Sequence, residues 1–288
     1  MLASGDLVAE VMDPAVADRY YVGTRFTPVA AVLRVSKGGK EYLFNPVAHD
    51  AEGDHAGLAS EFDLITPGGP PGFADAAENG TFLKVGVGAL RKTGNQYMFW
   101  NKYAPVSLAR TTVDWGTNTA NFRQSIPPTG GYGYSLSAKV TLDKDRIEID
   151  WKLRNTGFKP LKTRQYTHNF FRFSEKDVGP GYVVNFPYSP QVEGLSEAQR
   201  LSGQAIQFIQ PMTGALNANV PWPTGFGGSN AVTVSNTATG QSIECVTSVP
   251  GLKTAIHATA KNLCPEQFIE LTLGPGQERK WQRRYLFK

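Results

Sequence analysis

Residues 146–155 read RIEIDWKLRN. Ile147, Ile149, Trp151 and Leu153 alternate there with Glu148, Asp150, Lys152 and Arg154. A period of two puts the apolar set on one face and the charged set on the other, the pattern of a strand with one buried and one wet face. The preceding segment, SLSAKVTL (135–142), is also strand-like, and Asp143-Lys144-Asp145 between the two reads as a hairpin turn. After it, NTG (155–157) turns the chain and LKTRQYTHNFFRF (161–173) continues as strand.

The same reading extends in both directions. Strand candidates are AAVLRVS (30–36), EYLFN (41–45), GTFLKVGVGAL (80–90), QYMFWNKY (96–103), RTTVDWG (110–116), NTANFRQSI (118–126) and YVVNFPY (182–188). Later ones are AIQFIQ (205–210), AVTVSNT (231–237), QSIECVTS (241–248), TAIHATA (254–260), FIELTL (268–273) and KWQRRYLF (280–287). Turn signals such as KGGK, TPGGPPG and PTGG separate them. The best helix candidate is LSEAQRLSGQ (195–204), and no blade-length repeat or low-complexity linker is present. The pattern predicts an all-β chain, a large antiparallel β-sandwich with at most one or two short helices, forming a single domain over 1–288.

Composition sets the outer bounds. The 288 residues are 41% hydrophobic and 19% charged, ordinary for a globular protein, and 30 Gly with 19 Pro suit many turns. Net charge is +4 and the longest basic run is KWQRR (280–284), too weak for a nucleic-acid or membrane-surface partner. No apolar run approaches a membrane span, and the N-terminus lacks the charged and apolar regions of a signal peptide, so the expected location is the cytoplasm. Cys245 and Cys264 read as two reduced, buried thiols, with a disulfide left open. No metal-ligand spacing, P-loop, dinucleotide fingerprint or nucleophile elbow occurs, so neither metal nor cofactor is expected.

The chemistry concentrates at TRQYTHNFFRF (163–173). Strand alternation puts Arg164, Tyr166, His168, Phe170 and Arg172 on one face, and Gln165, Thr167, Asn169, Phe171 and Phe173 on the other. The second row becomes apolar and reads as core. The first mixes cations, a phenol, an imidazole and a ring. That suits a groove for a polar ligand with an apolar side, and a sugar fits the description. A lone histidine on a strand also fits a plain hydrogen-bonded role.

Several stretches together resemble the galactose mutarotase-like superfamily, and within it divergent aldose 1-epimerase-type members. They are YVGTRFTPVAAVLRV (21–35) with GKEYLF (39–44), GTFLKVGVGALRK (80–92), LRNTGFKPLKTRQYTHNFFRF (153–173) and CPEQFIELTLGPGQERKWQRRYLF (264–287). The resemblance implies a supersandwich of antiparallel strands with a sugar groove on one face, and interconversion of the α and β anomers of an aldose. It implies that His168 in THNFF is the general acid at the ring oxygen, and Glu266 in CPEQF the general base on the anomeric hydroxyl. The chain has no clean match to the family's second histidine motif. HAGLASEF (55–62) is loosely similar to the His-Gly-aromatic-Ala-Arg stretch of hexose-phosphate mutarotases, with an extra residue and no arginine.

Such chemistry needs one group to take the O1 proton while another protonates O5, and an imidazole with a carboxylate suffices. Glu270 in FIEL rivals Glu266, but Pro265 suggests that Glu266 begins its strand at a rim where a carboxylate can project into the groove. Arg25 in GTRF, with Arg164 and Arg172, fits hydrogen bonding to hydroxyls or to an acidic substituent, and equally fits surface salt bridges. Tyr166 and Trp100 offer rings to a sugar, or fill core or groove wall. His49 and His55 lie in NPVAHDAEGDHAGLASEFD (45–63), read as a loop over the groove, with His55 as a substrate contact. His257 in TAIHATA fits a groove contact or a hydrogen-bonded core role. The expected partner is a small-molecule sugar, bound by a monomer or homodimer. A non-catalytic carbohydrate-binding protein, or a lyase or hydrolase on the same fold, are the alternatives.

Overall fold

The computed structural model describes residues 1–288, and its regular structure is strand apart from one 3₁₀ turn at Phe173–Glu175. Strands are numbered in chain order. A nine-stranded sheet runs β1 (Leu2–Ser4), β2 (Leu7–Val11), β3 (Val32–Lys37), β5 (Leu58–Phe62), β13 (Leu161–Asn169), β21 (Leu263–Leu273), β20 (Lys253–Ala258) and β17 (Leu216–Pro221), with β4 (Lys40–Glu41) beside β3. A ten-stranded sheet runs β15 (Gln199–Ser202), β16 (Ala205–Phe208), β14 (Tyr182–Asn185), β18 (Ala231–Asn236), β19 (Gln241–Thr247), β22 (Glu278–Phe287), β12 (Arg146–Asn155), β11 (Tyr132–Asp143), β10 (Thr119–Thr129) and β9 (Arg110–Trp115). A small third sheet holds β6 (Thr81–Lys84), β7 (Gly88–Arg91) and β8 (Pro105–Leu108).

The alternation in β12 sets the packing. Ile147, Ile149, Trp151 and Leu153 are buried, while Asp150, Lys152 and Arg154 are exposed on the outer face. Trp151 pairs with Trp281 of β22, and their rings stack 5.8 Å apart. Phe62 of the other sheet meets each at 6.4 Å, edge to face. The two sheets thus share one apolar layer, the large antiparallel sandwich that the pattern predicts. No helix is long and apolar enough to cross a membrane. Both cysteines are free and buried.

Local readings change in five places. The segment 195–204 is not a helix: Ser196 and Gln199 close a turn by side-chain hydrogen bonds, and Gln199–Ser202 then pairs with Ala205–Phe208 across Gly203-Gln204. The 80–90 segment splits into β6 and β7, because Gly86 turns the chain at φ 84. Of 41–45, only Glu41 lies in a strand, with a single bridge at Leu43. The 96–103 segment is a loop folded on itself, with Tyr97 and Tyr103 stacked and the Tyr103 hydroxyl accepting the Met98 N–H. Finally, 45–63 is a loop only in its first part, since Leu58–Phe62 is an interior strand beside β13.

The core-facing row of β13 is polar as far as Asn169 and apolar only from Phe171. Gln165 Oε1 accepts from the buried Arg283 (2.9 Å), Thr167 bonds Ser60 (3.1 Å), and Asn169 Oδ1 accepts from Tyr285 (3.0 Å). These bonds satisfy groups that would be costly to bury alone, and they fix the strand that carries His168.

Candidate active site

Strand register brings the site together. β13 pairs with β5 so that Tyr166 faces Glu61 and His168 faces Ala59. On its other side, β13 pairs with β21 as far as Gln165–Ile269. Continuing that register three residues along β13 puts His168 opposite Glu266. β21 in turn pairs Glu266 with Ala255 of β20, and β20 pairs Ala255 with Asn219 and His257 with Asn217 of β17. Cross-strand partners share a face, so four strands present one polar floor.

On that floor His168 Nε2 lies 3.0 Å from Glu266 Oε1, and both side chains are buried. The His168 ring stacks face to face on Phe170, 3.8 Å between centroids. His55 and His257 approach it at 5.2 and 5.9 Å, so three of the chain's four histidines meet around one carboxyl group. His257 Nδ1 donates to Asn217 Oδ1 (2.9 Å), an assignment set by the amide oxygen.

Burial dominates the electrostatics. It pushes the Glu266 carboxyl up to about 8, against the opposing pull of Arg25 and His257. It pushes His168 well below 6.5, with the charges of Arg25 and His257 acting the same way. His55 falls to about 2, first through burial and then through His168 and Arg25, and His257 is lowered by burial. At neutral pH the His168–Glu266 pair therefore holds one proton between Nε2 and Oε1, and the other two imidazoles are uncharged.

Arg25 closes one end. Its Nε donates to Glu61 (2.8 Å) and one Nη to the Tyr166 hydroxyl (3.2 Å). Glu61 also accepts from Tyr166 (2.5 Å) and from the fully buried Lys84 (3.4 Å). Burial pulls the guanidinium down, but the neighbouring Glu61 and Tyr166 outweigh burial and raise it, so it stays charged. Lys253, held by Asn219 Oδ1 at 2.7 Å, brings a second cation.

These groups line a cavity of about 440 Å³. His55, His168, His257, Glu266 and Arg25 all border it, with Phe99 and Phe268 among its apolar walls. Other expected residues stand elsewhere. Tyr166 is fully buried under Arg25 and supports it from below. Arg164 shares the sheet face but is tied to Glu270 (2.9 Å) and to the Ile65 carbonyl. Glu270 is thereby engaged away from His168, which leaves Glu266 as the carboxylate of the pair. Arg172 lies beyond the end of β13, paired with Asp177 at 2.8 Å, and does not border the cavity. The strand itself ends at Asn169, and Arg172 stands on an extended continuation bonded to Tyr42, one residue before the 3₁₀ turn. His49 stacks on Tyr20 and bonds its carbonyl, outside the groove. Trp100 is exposed, beside the cavity.

Glu266 is not at a strand start. β21 begins at Leu263, and Pro265 sits where the ladder with β13 has ended, its carbonyl taken by the Asn169 amide at 2.6 Å. Sequence reasoning also missed Lys253, Asn217, Asn219 and Phe99. Lys253 was accessible, because it alternates with Ala255 and His257. The asparagines required β17, whose LNANVP carries only a short alternation.

No protein-family model matches the chain, and no curated protein does. Solved structures match it over nearly its full length. A candidate aldose 1-epimerase of Escherichia coli K12 superposes with TM-score 0.65 at 12% identity, covering 100% of this chain and 97% of that one. A galactose mutarotase related enzyme of Lactobacillus acidophilus gives 0.61 at 10% identity, with 98% and 97% covered. An aldose epimerase homologue of C. elegans gives 0.60 at 12% identity, with 100% and 97% covered. The chain has the galactose mutarotase-like fold.

Proposed function

We propose that the chain is an aldose 1-epimerase-type isomerase, a single domain over 1–288 that interconverts sugar anomers with His168 and Glu266. The observation that carries this reading is the 3.0 Å pair itself, buried at the floor of a cavity within the roughly 300–1,000 Å³ range of small-molecule sites. In the charged form of the pair, Glu266 takes the O1 proton as His168 Nε2 gives its proton to O5. The C1–O5 bond breaks, and an open-chain aldehyde remains. The pair is then left as neutral imidazole and protonated carboxyl, which has the same net charge as the starting form. Burial favours that neutral form, so neither state strands a lone charge in the site. Rotation about C1–C2 and the reverse transfers close the ring on the other face. The pair returns to its first state with no net proton gained or lost.

The surrounding groups fit a polyol, and Arg25 with Lys253 would also accept an acidic or phosphorylated substituent on it. His55 and His257 are uncharged, and Asn217 and Asn219 add amides. Glu266 is the one carboxyl bordering this cavity, and Glu61 beneath Arg25 is committed to Arg25, Tyr166 and Lys84, which argues against a lyase or hydrolase needing a third carboxyl. The test is anomer exchange by polarimetry or NMR on freshly dissolved aldoses, including phosphorylated and acidic ones. Acceleration by the protein that is lost in His168→Ala and in Glu266→Ala supports the reading. Binding without acceleration on every sugar would replace it with a carbohydrate-binding role.

A further inference from the structure

The groove continues past the cavity just described. The Arg25 guanidinium lies over the Phe99 ring at 4.3 Å, and these two side chains border a second cavity of about 340 Å³ as well as the first. The second cavity is enclosed by residues 22–25, by Glu52 and Gly53, and by the 99–105 loop. Its exposed aromatic wall is Trp100, which is 62% exposed and stands edge-on to Phe99 at 4.8 Å. Polar groups line the same cavity: Thr24, Asn101, and the Glu52–Lys102 pair at 2.9 Å.

The wall is a built one. A Cβ at Gly23 would clash with the Glu52 carbonyl oxygen and with the Tyr21 hydroxyl. Only glycine lets the Glu52–Gly53 turn close against the 22–25 segment. The same Tyr21 hydroxyl accepts the backbone N–H groups of Arg25 and Phe26, which fixes the ridge between the cavities. Arg25 spends Nε and one Nη on Glu61 and Tyr166, and its other Nη has no hydrogen-bond partner in the protein.

We infer that this second cavity is a subsite for a second sugar ring, so that the substrate is a reducing disaccharide or longer oligosaccharide with its reducing end at His168–Glu266. This rests on the isomerase reading above. A flat, exposed indole takes the C–H face of a pyranose, and the flanking polar groups take its hydroxyls. The reacting ring must keep its anomeric carbon at the pair, so the second ring is joined through a non-anomeric oxygen of the first. The free Arg25 nitrogen then sits at the junction between the rings.

Calorimetric titration tests this independently of turnover, with maltose, cellobiose and lactose compared with glucose and galactose, on wild type and on Trp100→Ala. The expected result is that at least one disaccharide binds about tenfold more tightly than its monosaccharide, a margin reached by one good ring contact. Trp100→Ala then removes the advantage, Trp100→Phe restores most of it, and monosaccharide affinity stays the same in both. Disaccharides that bind no better than monosaccharides overturn the inference, as does a Trp100→Ala variant that weakens both sugars alike. NMR anomer exchange on the same samples separates the two proposals. A disaccharide preference without exchange keeps the subsite and removes the isomerase. Exchange on monosaccharides without a disaccharide preference does the reverse.

Discussion

Glu61 and Glu266 flank the same strand, one on β5 and the other on β21, and both are buried. Their surroundings differ in one respect. Glu61 receives Arg25, Lys84 and the Tyr166 hydroxyl, so two basic side chains and a phenol hold it. Glu266 receives only His168, a partner that can itself lose the proton. A buried carboxyl bonded on every side by basic side chains and a phenol is fixed in place and shapes the site. One that meets only a titratable partner is pushed by burial up to about 8 and can carry a proton. The same side chain serves as scaffold on one side of β13 and as reactant on the other.

The largest expected effect breaks the reactive side. Glu266→Gln keeps the shape but cannot accept the O1 proton, and it should slow anomer exchange about 10³-fold, with His168→Ala similar. Thermal unfolding of both should remain cooperative. On the scaffold side, Glu61→Ala leaves Lys84 and Arg25 without their counter-charge and should destabilise the fold by about 3 kcal/mol in urea denaturation. A loss of exchange with no loss of stability in that variant would merge the two roles.

The pH dependence sharpens the contrast. Exchange requires one proton in the pair, so the rate should hold through neutrality and fall about tenfold per unit above about pH 8 as the pair deprotonates. On the acid side it should persist well below pH 6.5, since His168 is lowered. The smallest effect is on stability. Because the folded pKa of Glu266 is raised above its ordinary 4.5, the carboxyl's contribution is whole at low pH and is lost as pH rises through about 8. Glu266→Gln should therefore gain on wild type as pH rises from 4 to 9, read from paired urea melts.

Much of this contrast was legible in the chain. RIEIDWKLRN declares a half-wet strand, and the neighbouring segments repeat the pattern, so the sandwich follows from period alone. His168 is visible because an imidazole alternating with Tyr166 and Phe170 is unusual on a strand, and CPEQF marks Glu266 through the resemblance. Glu61 was hidden because HAGLASEFD reads as the end of a polar loop, although five of its residues form a buried strand. Lys84 carries no signal within GTFLKVG, yet it is fully buried against a carboxylate that sequence cannot place beside it. Arg172 misled because alternation was extended past Asn169, where the strand ends. Long-range pairing supplies these partners, and local periodicity does not carry it.

The most direct measurement is a carboxyl titration by NMR on protein carrying ¹³C-labelled glutamate, with Glu266→Gln to assign the resonance. A carboxyl signal that is absent from the variant and titrates near 8 would show that Glu266 holds the pair's proton at neutral pH. A Glu266 signal titrating at the ordinary 4.5 would contradict it, and would make the 3.0 Å contact a simple ion pair like that of Glu61 with Arg25.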